Sequence, residues 1–292
     1  MNALERHGFA PVSARRVFVL VRGVLIITAF DAFRLAAGAL QSRRLDADLA
    51  IAHFELLDRL QPTPTAELRA GVFLAVGLFS ALAVVRPTRW LLVPVALLQT
   101  WSWSMTIHDN FQHHYFVSIL LWSLVSMPRV AVGPAGSRWP RGDVVAPGFS
   151  FVAASVGLTY FFTAVAKVSP AWVRGDVVAH LTMHLAPYWS SSLNPWVACL
   201  TIFFELLVAA AYVFAPRVRW RVIALATVSF HVCAELVFGL AIGAFSIYMV
   251  ALAFVFLDPW RVAPGSKGRR AEPVEQGHEE SLFALARARP RG

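Results

Sequence analysis

Eight runs of mostly apolar residues, each at least 17 residues long, account for most of this chain. They are Val17–Leu40, Leu68–Val85, Trp90–Ile107, Phe111–Met127, Phe149–Ala166, Pro195–Ala215, Trp220–Leu240 and Ala241–Leu257. An α-helix needs about 20 such residues to cross a bilayer, and roughly 17 are tolerated. The runs lack the strict alternation of strands, and lipid admits only helices or closed barrels. The expected fold is therefore all-α, a polytopic integral membrane bundle of about eight transmembrane helices. The last two runs are contiguous. We divide them near Gly239 and Gly243, since one helix of that length would overshoot the membrane. Asp31 and Arg34 interrupt the first run and no small-residue cleavage site follows promptly, so it reads as an uncleaved helix rather than a signal peptide. With 58% hydrophobic and only 15% charged residues, the chain falls outside the soluble range of about 25% charged. A disordered chain, a disulfide scaffold and a dinucleotide-binding α/β enzyme are excluded together.

Orientation follows from the basic residues of the loops. With the N-terminus in the cytoplasm, the inner segments hold Arg6, Arg15, Arg16, Arg86, Arg89, Arg129, Arg138, Arg141, Arg217, Arg219, Arg221 and seven more after Trp260, which makes 18. The outer loops hold six: Arg43, Arg44, Arg59, Arg69, Lys167 and Arg174. Both termini come out cytoplasmic in a multi-pass protein of the cell membrane. The net charge of +9 is thus topological. The arginines are scattered between apolar runs rather than gathered on one face, so no nucleic-acid partner is expected. Three parts result: a cytoplasmic segment 1–16, a transmembrane domain 17–260 and a disordered cytoplasmic tail 261–292. A short amphipathic helix is expected over Asp48–Leu60, and a Gly/Pro-rich connector over 128–147. Cys199 and Cys233 lie inside apolar runs and form no disulfide framework. The Arg-heavy composition fits a GC-rich bacterial genome.

Ionisable groups at membrane depth are costly, and each is a functional candidate. They are Arg22, Asp31, Arg34, His108, Asp109, His113, His114, Lys167, His180, His184, Glu205, His231 and Glu235. Most collect at the outer end of the bundle. Only two basic residues are lysines, Lys167 and Lys267, so a lysine at a helix end stands out where arginine fills nearly every other position. A lysine removed from water favours its neutral amine, the form able to act as a base. The alternative is a lysine that snorkels to the interface. His180 and His184 share a face at i,i+4 if one helix carries both, either as half a metal-binding box or as a polar stripe on an interfacial helix. No metal is expected. Asp31 and Arg34, at i,i+3, neutralise each other, or Arg34 receives an acidic headgroup or substrate. His231 and Glu235 share a helical face and are placed to hydrogen-bond each other, as a packing pair or part of a proton path.

The segment Tyr160…Lys167-Val-Ser-Pro-Ala-Trp172-Val-Arg-Gly175 resembles the hallmark of the vitamin K-dependent γ-carboxylase-like membrane proteins, the HTTM family. In that family a Tyr-led span ends in Lys, followed at +5 by Trp and then by x-x-Gly. Leu181-x-x-His184 is similar to the family's Leu-x-x-His, and His113-His114-Tyr115 to its His-x-Tyr element. Glu205, His231 and Gly243-Ala-Phe245-Ser246 also look like family landmarks. The resemblance runs from about Arg16 to Trp260. It implies a lyase-type, quinol-driven carboxylation with a reduced naphthoquinone, vitamin K hydroquinone or menaquinol, as cofactor. Lys167 would deprotonate the quinol, His113 would assist, and His184 would lie nearby. Oxygen addition would then produce a base strong enough to take the γ-proton of a glutamate, with CO2 trapping the carbanion. Tyr115, Trp172 and Gly175 would shape the cofactor site, Gly175 as a turn of close backbone approach.

The chain departs from the animal carboxylases of this family. Ala166 stands where they have a second Lys, Ser169-Pro170-Ala171 replaces acidic residues, and a tail rather than a large lumenal recognition domain follows Trp260. The expected partners are membrane lipid, quinol and the glutamate of a protein or peptide. Two other classes compete with this reading: a non-enzymatic transporter or assembly factor that uses the polar residues for packing or a proton path, and a His-box metal oxidase.

Overall fold

Each of the eight apolar runs is occupied by a helix in the structure, a computed structural model of the chain. It describes residues 11–41, 59, 65–105, 112–128, 140, 142–185, 187–214, 220–238 and 244–257. The chain divides into two units, Met1–Pro259 and Trp260–Gly292, and the second lies outside the described residues. So do residues 129–139 and 141 of the connector expected over 128–147, whose later part instead forms a short strand and the start of a helix, and almost all of the helix expected over Asp48–Leu60.

The order is β1 (Pro11–Ser13), α1 (Ala14–Gln41), α2 (Ala66–Val85), α3 (Arg89–Ser104), α4 (Gln112–Val125), β2 (Asp143–Val145), α5 (Pro147–Lys167), α6 (Pro170–Val173), α7 (Asp176–Leu181), α8 (Asn194–Phe214), α9 (Trp220–Phe238) and α10 (Ala244–Leu257). Local signals set several starts. Thr65 caps α2 by accepting the amide of Leu68 at 3.2 Å, with Glu67 in the first turn. Pro147 opens α5, where a missing N–H leaves nothing unpaired. The division of the last apolar stretch appears as two separate helices, α9 and α10, that pack against each other.

Successive long helices are neighbours: α1 with α2, α2 with α3, and onward through α4, α5, α8, α9 and α10. The last, α10, packs against the first, so the eight close into a circuit. Two contacts seal the closure. Tyr248 donates to the Thr28 hydroxyl at 3.0 Å. Arg16 donates from Nε to the Val255 carbonyl at 2.9 Å and from Nη2 to the Phe256 carbonyl at 2.7 Å. These carbonyls belong to the last turn of α10, where a helix runs out of amides of its own. The same guanidinium stands 5.1 Å from the centroid of the Phe149 ring.

A small ladder missing from the sequence expectation pairs β1 with β2 antiparallel, Val12 opposite Val144. It puts the start of α5 beside the start of α1, and Arg16 brings the end of α10 to the same side. Lys167, the last residue of α5, stands at the opposite end of the bundle, roughly 30 Å away at 1.5 Å per residue.

The distribution of polarity is inverted relative to a soluble bundle. Thr28, Asp31, Glu205, Thr227, His231 and Ser246 are buried, while Phe30 and Leu236 are 67% and 72% exposed. An apolar exterior of this extent calls for lipid. Among the described residues, Ala66–Val85, Pro147–Lys167 and Ser191–Val213 are long and apolar enough to cross a membrane, and His114–Val125 and Phe245–Phe256 are shorter apolar helices. The chain is a membrane protein with an all-α helical bundle.

Candidate functional site

Lys167 is the only cationic residue of α5, and Glu205 the only carboxylate of α8. Packing of α5 against α8 brings the two together, through a close approach at Gly157, where a Cβ would lie 2.9 Å from Val213. Lys167 Nζ donates to both carboxylate oxygens of Glu205, at 2.7 and 2.8 Å. The side chains are 18% and 6% exposed, so most of the pair is out of solvent. Trp172 lies over the amine, its ring centroid 5.4 Å from Nζ, within cation–π range.

The backbone that follows Lys167 is a short helical turn built from local signals. Ser169 accepts the amide of Trp172 at 3.4 Å and Pro170 opens α6. Ser169-Pro170-Ala171 is therefore a helix start. Gly175 then adopts φ +83°, and a Cβ there would lie 2.6 Å from Asn194. The expected close approach of backbone is present, and its partner is the start of α8.

Two helical turns before Lys167, Tyr160 reaches α9. Its hydroxyl oxygen lies 2.6 Å from Nε2 of His231, and Nδ1 of the same ring lies 3.1 Å from Ser246 Oγ on α10. One assignment satisfies all three groups: Tyr160 donates to Nε2 while Nδ1–H donates to Ser246. The expected bond between His231 and Glu235 is absent, because both ring nitrogens of His231 are already engaged. Neither carboxylate oxygen of Glu235 meets a hydrogen-bonding partner among the described residues. The expected Asp31–Arg34 pair does form, with Nε and Nη2 donating to Oδ1 at 3.1 and 2.8 Å.

The remaining candidates are dispersed. Tyr115 packs on Trp103, their ring centroids 4.1 Å apart. His113 is the second residue of α4, and its side chain lies outside the described residues, as does His108. His184 is exposed in a 3-10 turn, Met183–Leu185. Because α7 ends at Leu181, His180 and His184 do not share one helix, and the i,i+4 stripe expected of them does not form. Among the described residues no three His, Cys, Asp or Glu side chains converge into a metal-binding group.

A cavity of about 330 Å³ opens between α4 and α5, walled by Tyr115, Phe116, Phe151 and Phe162 with Thr159 and Thr163. Both threonine hydroxyls donate back into α5, to the carbonyls of Ser155 and Tyr160 at 2.8 and 2.9 Å, which leaves their lone pairs as acceptors. Thr163 is one helical turn before Lys167, on the same face. The pairing of Lys167 with Glu205 was not anticipated. Its signal was present: one cation and one carboxylate, each alone in its apolar span.

The family model of the HTTM domain matches residues 11–260. No curated protein and no solved structure matches the chain at a significant level. The match spans all of the described helices, and the chain belongs to the HTTM-domain family, whose domain is found in vitamin K-dependent carboxylase-like proteins.

Proposed function

We propose that this protein carries out quinol-dependent chemistry of the carboxylase type, with Lys167 as the group that takes the quinol proton. The observation that carries the reading is the Lys167–Glu205 pair at the end of α5, one turn beyond an aromatic-walled cavity. The cavity suits a flat aromatic ring. Its volume of about 330 Å³ is at the lower end of small-molecule sites, roughly 300–1,000 Å³. Its walls are apolar, and the Thr159 and Thr163 oxygens accept hydrogen bonds from ring hydroxyls. A reduced naphthoquinone bound there would, on oxidation by molecular oxygen, supply the strong base that takes the γ-proton of a glutamate before CO2 adds.

The residues of the chain have separable tasks. Glu205 accepts two hydrogen bonds from Lys167. Lys167 takes the quinol proton as the neutral amine beside the Glu205 carboxylate, and the ammonium–carboxylate pair is the state that results. Trp172 covers the amine and limits access of water. His113, at the start of α4, assists at the quinol. Gly175 lets the turn pass against α8 so that Trp172 stays over Lys167. The surplus of arginine on one side supports an orientation with both termini in the cytoplasm and Lys167 at the outer face of the cell membrane. The substrate in this reading is a glutamate of a peptide or protein on that face.

The test is reconstitution with menaquinol and oxygen, following epoxide formation. Wild-type turnover that is lost in Lys167→Ala, with the protein still folded, supports the assignment. Equal turnover in wild type and Lys167→Ala overturns it. Undetectable quinone binding, combined with a pH-dependent flux lost in Glu235→Gln, would favour a transporter instead.

A further inference from the structure

A second cavity, of about 660 Å³, lies between α1, α9 and α10. It is separate from the one beside α4, and none of its lining residues is Lys167, Trp172 or Tyr115. Its walls are largely apolar, with Phe30, Leu236 and Ile247 among them, all exposed on the outside of the bundle. A molecule can therefore enter sideways from lipid. The polar lining consists of Asp31, Arg34, Glu235, His231 and Ser246.

The charges there do not balance. Arg34 is matched by Asp31 at 2.8 Å, and His231 is bonded on both ring nitrogens. Glu235 remains. Both of its oxygens are buried, and no donor reaches them among the described residues. A buried carboxylate without a donor is strongly disfavoured. Glu235 lines the cavity, and its rotatable side-chain bonds allow the carboxylate to turn toward a ligand in the lumen. The site then has one carboxylate more than it has cations, several apolar walls and an opening to lipid.

We propose that this cavity binds a single-chain amphiphile with a primary ammonium head, the ammonium donating to Glu235 and the alkyl chain lying along Phe30, Leu236 and Ile247. An ammonium head supplies both things Glu235 lacks, a donor and a compensating charge. A hydroxyl head supplies only the first, and a carboxylate head neither. Ser246 and His231 line the same cavity, and His231 is also bonded to Tyr160. The proposal does not depend on the quinol reading.

The experiment uses the full chain in phosphatidylcholine nanodiscs and a dodecylamine probe with a diazirine on its alkyl chain. Saturable crosslinks are expected on α1, α9 and α10. Unlabelled dodecylamine should displace the probe at least tenfold more effectively than dodecanol or dodecanoate. Glu235→Gln should erase that tenfold preference, while Asp176→Asn, at an exposed carboxylate outside the cavity lining, leaves it unchanged. Ala251→Phe fills the cavity without altering its charge and should abolish the crosslinks, which covers the case of a misfolded Glu235→Gln. Equal displacement by the three competitors, preference for dodecanoate, or labelling indifferent to Glu235→Gln or Ala251→Phe would overturn the proposal.

Discussion

Lys167 and Glu205 hold each other in a largely desolvated position, so each is exposed to the loss of the other. Removing one partner of such a pair leaves an uncompensated buried charge, at about 3–5 kcal/mol. Lys167→Met or Glu205→Leu alone should each destabilise the protein by that order. The double variant should lose clearly less than the sum. Denaturant unfolding in detergent, arranged as a double-mutant cycle, measures the difference, and strict additivity would show that the pair is not coupled. Arg16 has a different dependence. Its two hydrogen bonds close the end of α10, and bonds of this charged kind contribute about 1.5–3 kcal/mol. Arg16→Ala is expected to lower stability by about 2 kcal/mol. Arg16→Lys should recover little of it, because an ammonium cannot span two carbonyls as the planar fork does. In the sequence Arg16 counts only as a topological charge; its buried role depends on α10, far along the chain.

At the scale of elements, the turn from α5 to α8 is the most constrained. Gly175 combines a positive φ with a contact that leaves no room for a Cβ. Gly142 has a similar φ of +85° but open space around it. Gly175→Ala should therefore cost more than Gly142→Ala, about 3 kcal/mol against about 1, with strain alone worth roughly 1–3. Thermal unfolding of the two variants tests the order, and equal shifts would mean that the contact with Asn194 yields freely.

The long helices were legible because an apolar run of bilayer length has few other ways to satisfy its backbone. The β1–β2 ladder was not, since three residues per strand are too few for alternation to register. The site was legible in part. Lys167, Trp172 and Gly175 stand close in sequence and carry their geometry in local signals. The partners Glu205 and His231 come from distant helices, and helix spacing alone suggested the wrong neighbour for His231, Glu235 on its own helix. What decided it was the arrival of Tyr160 and Ser246 from two other helices.

For the molecule as a whole, the ladder and Arg16 gather the beginnings of α1 and α5 and the end of α10 on one side. Single cysteines placed near residues 13 and 257, in a variant lacking Cys199 and Cys233, should both react with an impermeant thiol reagent from one and the same side of the membrane only. A cysteine at Ser169 should react from the opposite side. Labelling of residues 13 and 257 from different sides would contradict the closed circuit.

That circuit also sets a timetable for synthesis. Thr28 and Tyr248 are 220 positions apart, which at roughly 5–20 residues per second is about 10–45 seconds of translation. For that interval the first helix exists without the last. Thr28 already has a partner within its own helix, the Val24 carbonyl at 2.8 Å. Asp31 has Arg34 one turn away. The first span therefore carries its own neutralising contacts and can enter lipid as a nascent chain, long before its permanent neighbour is made.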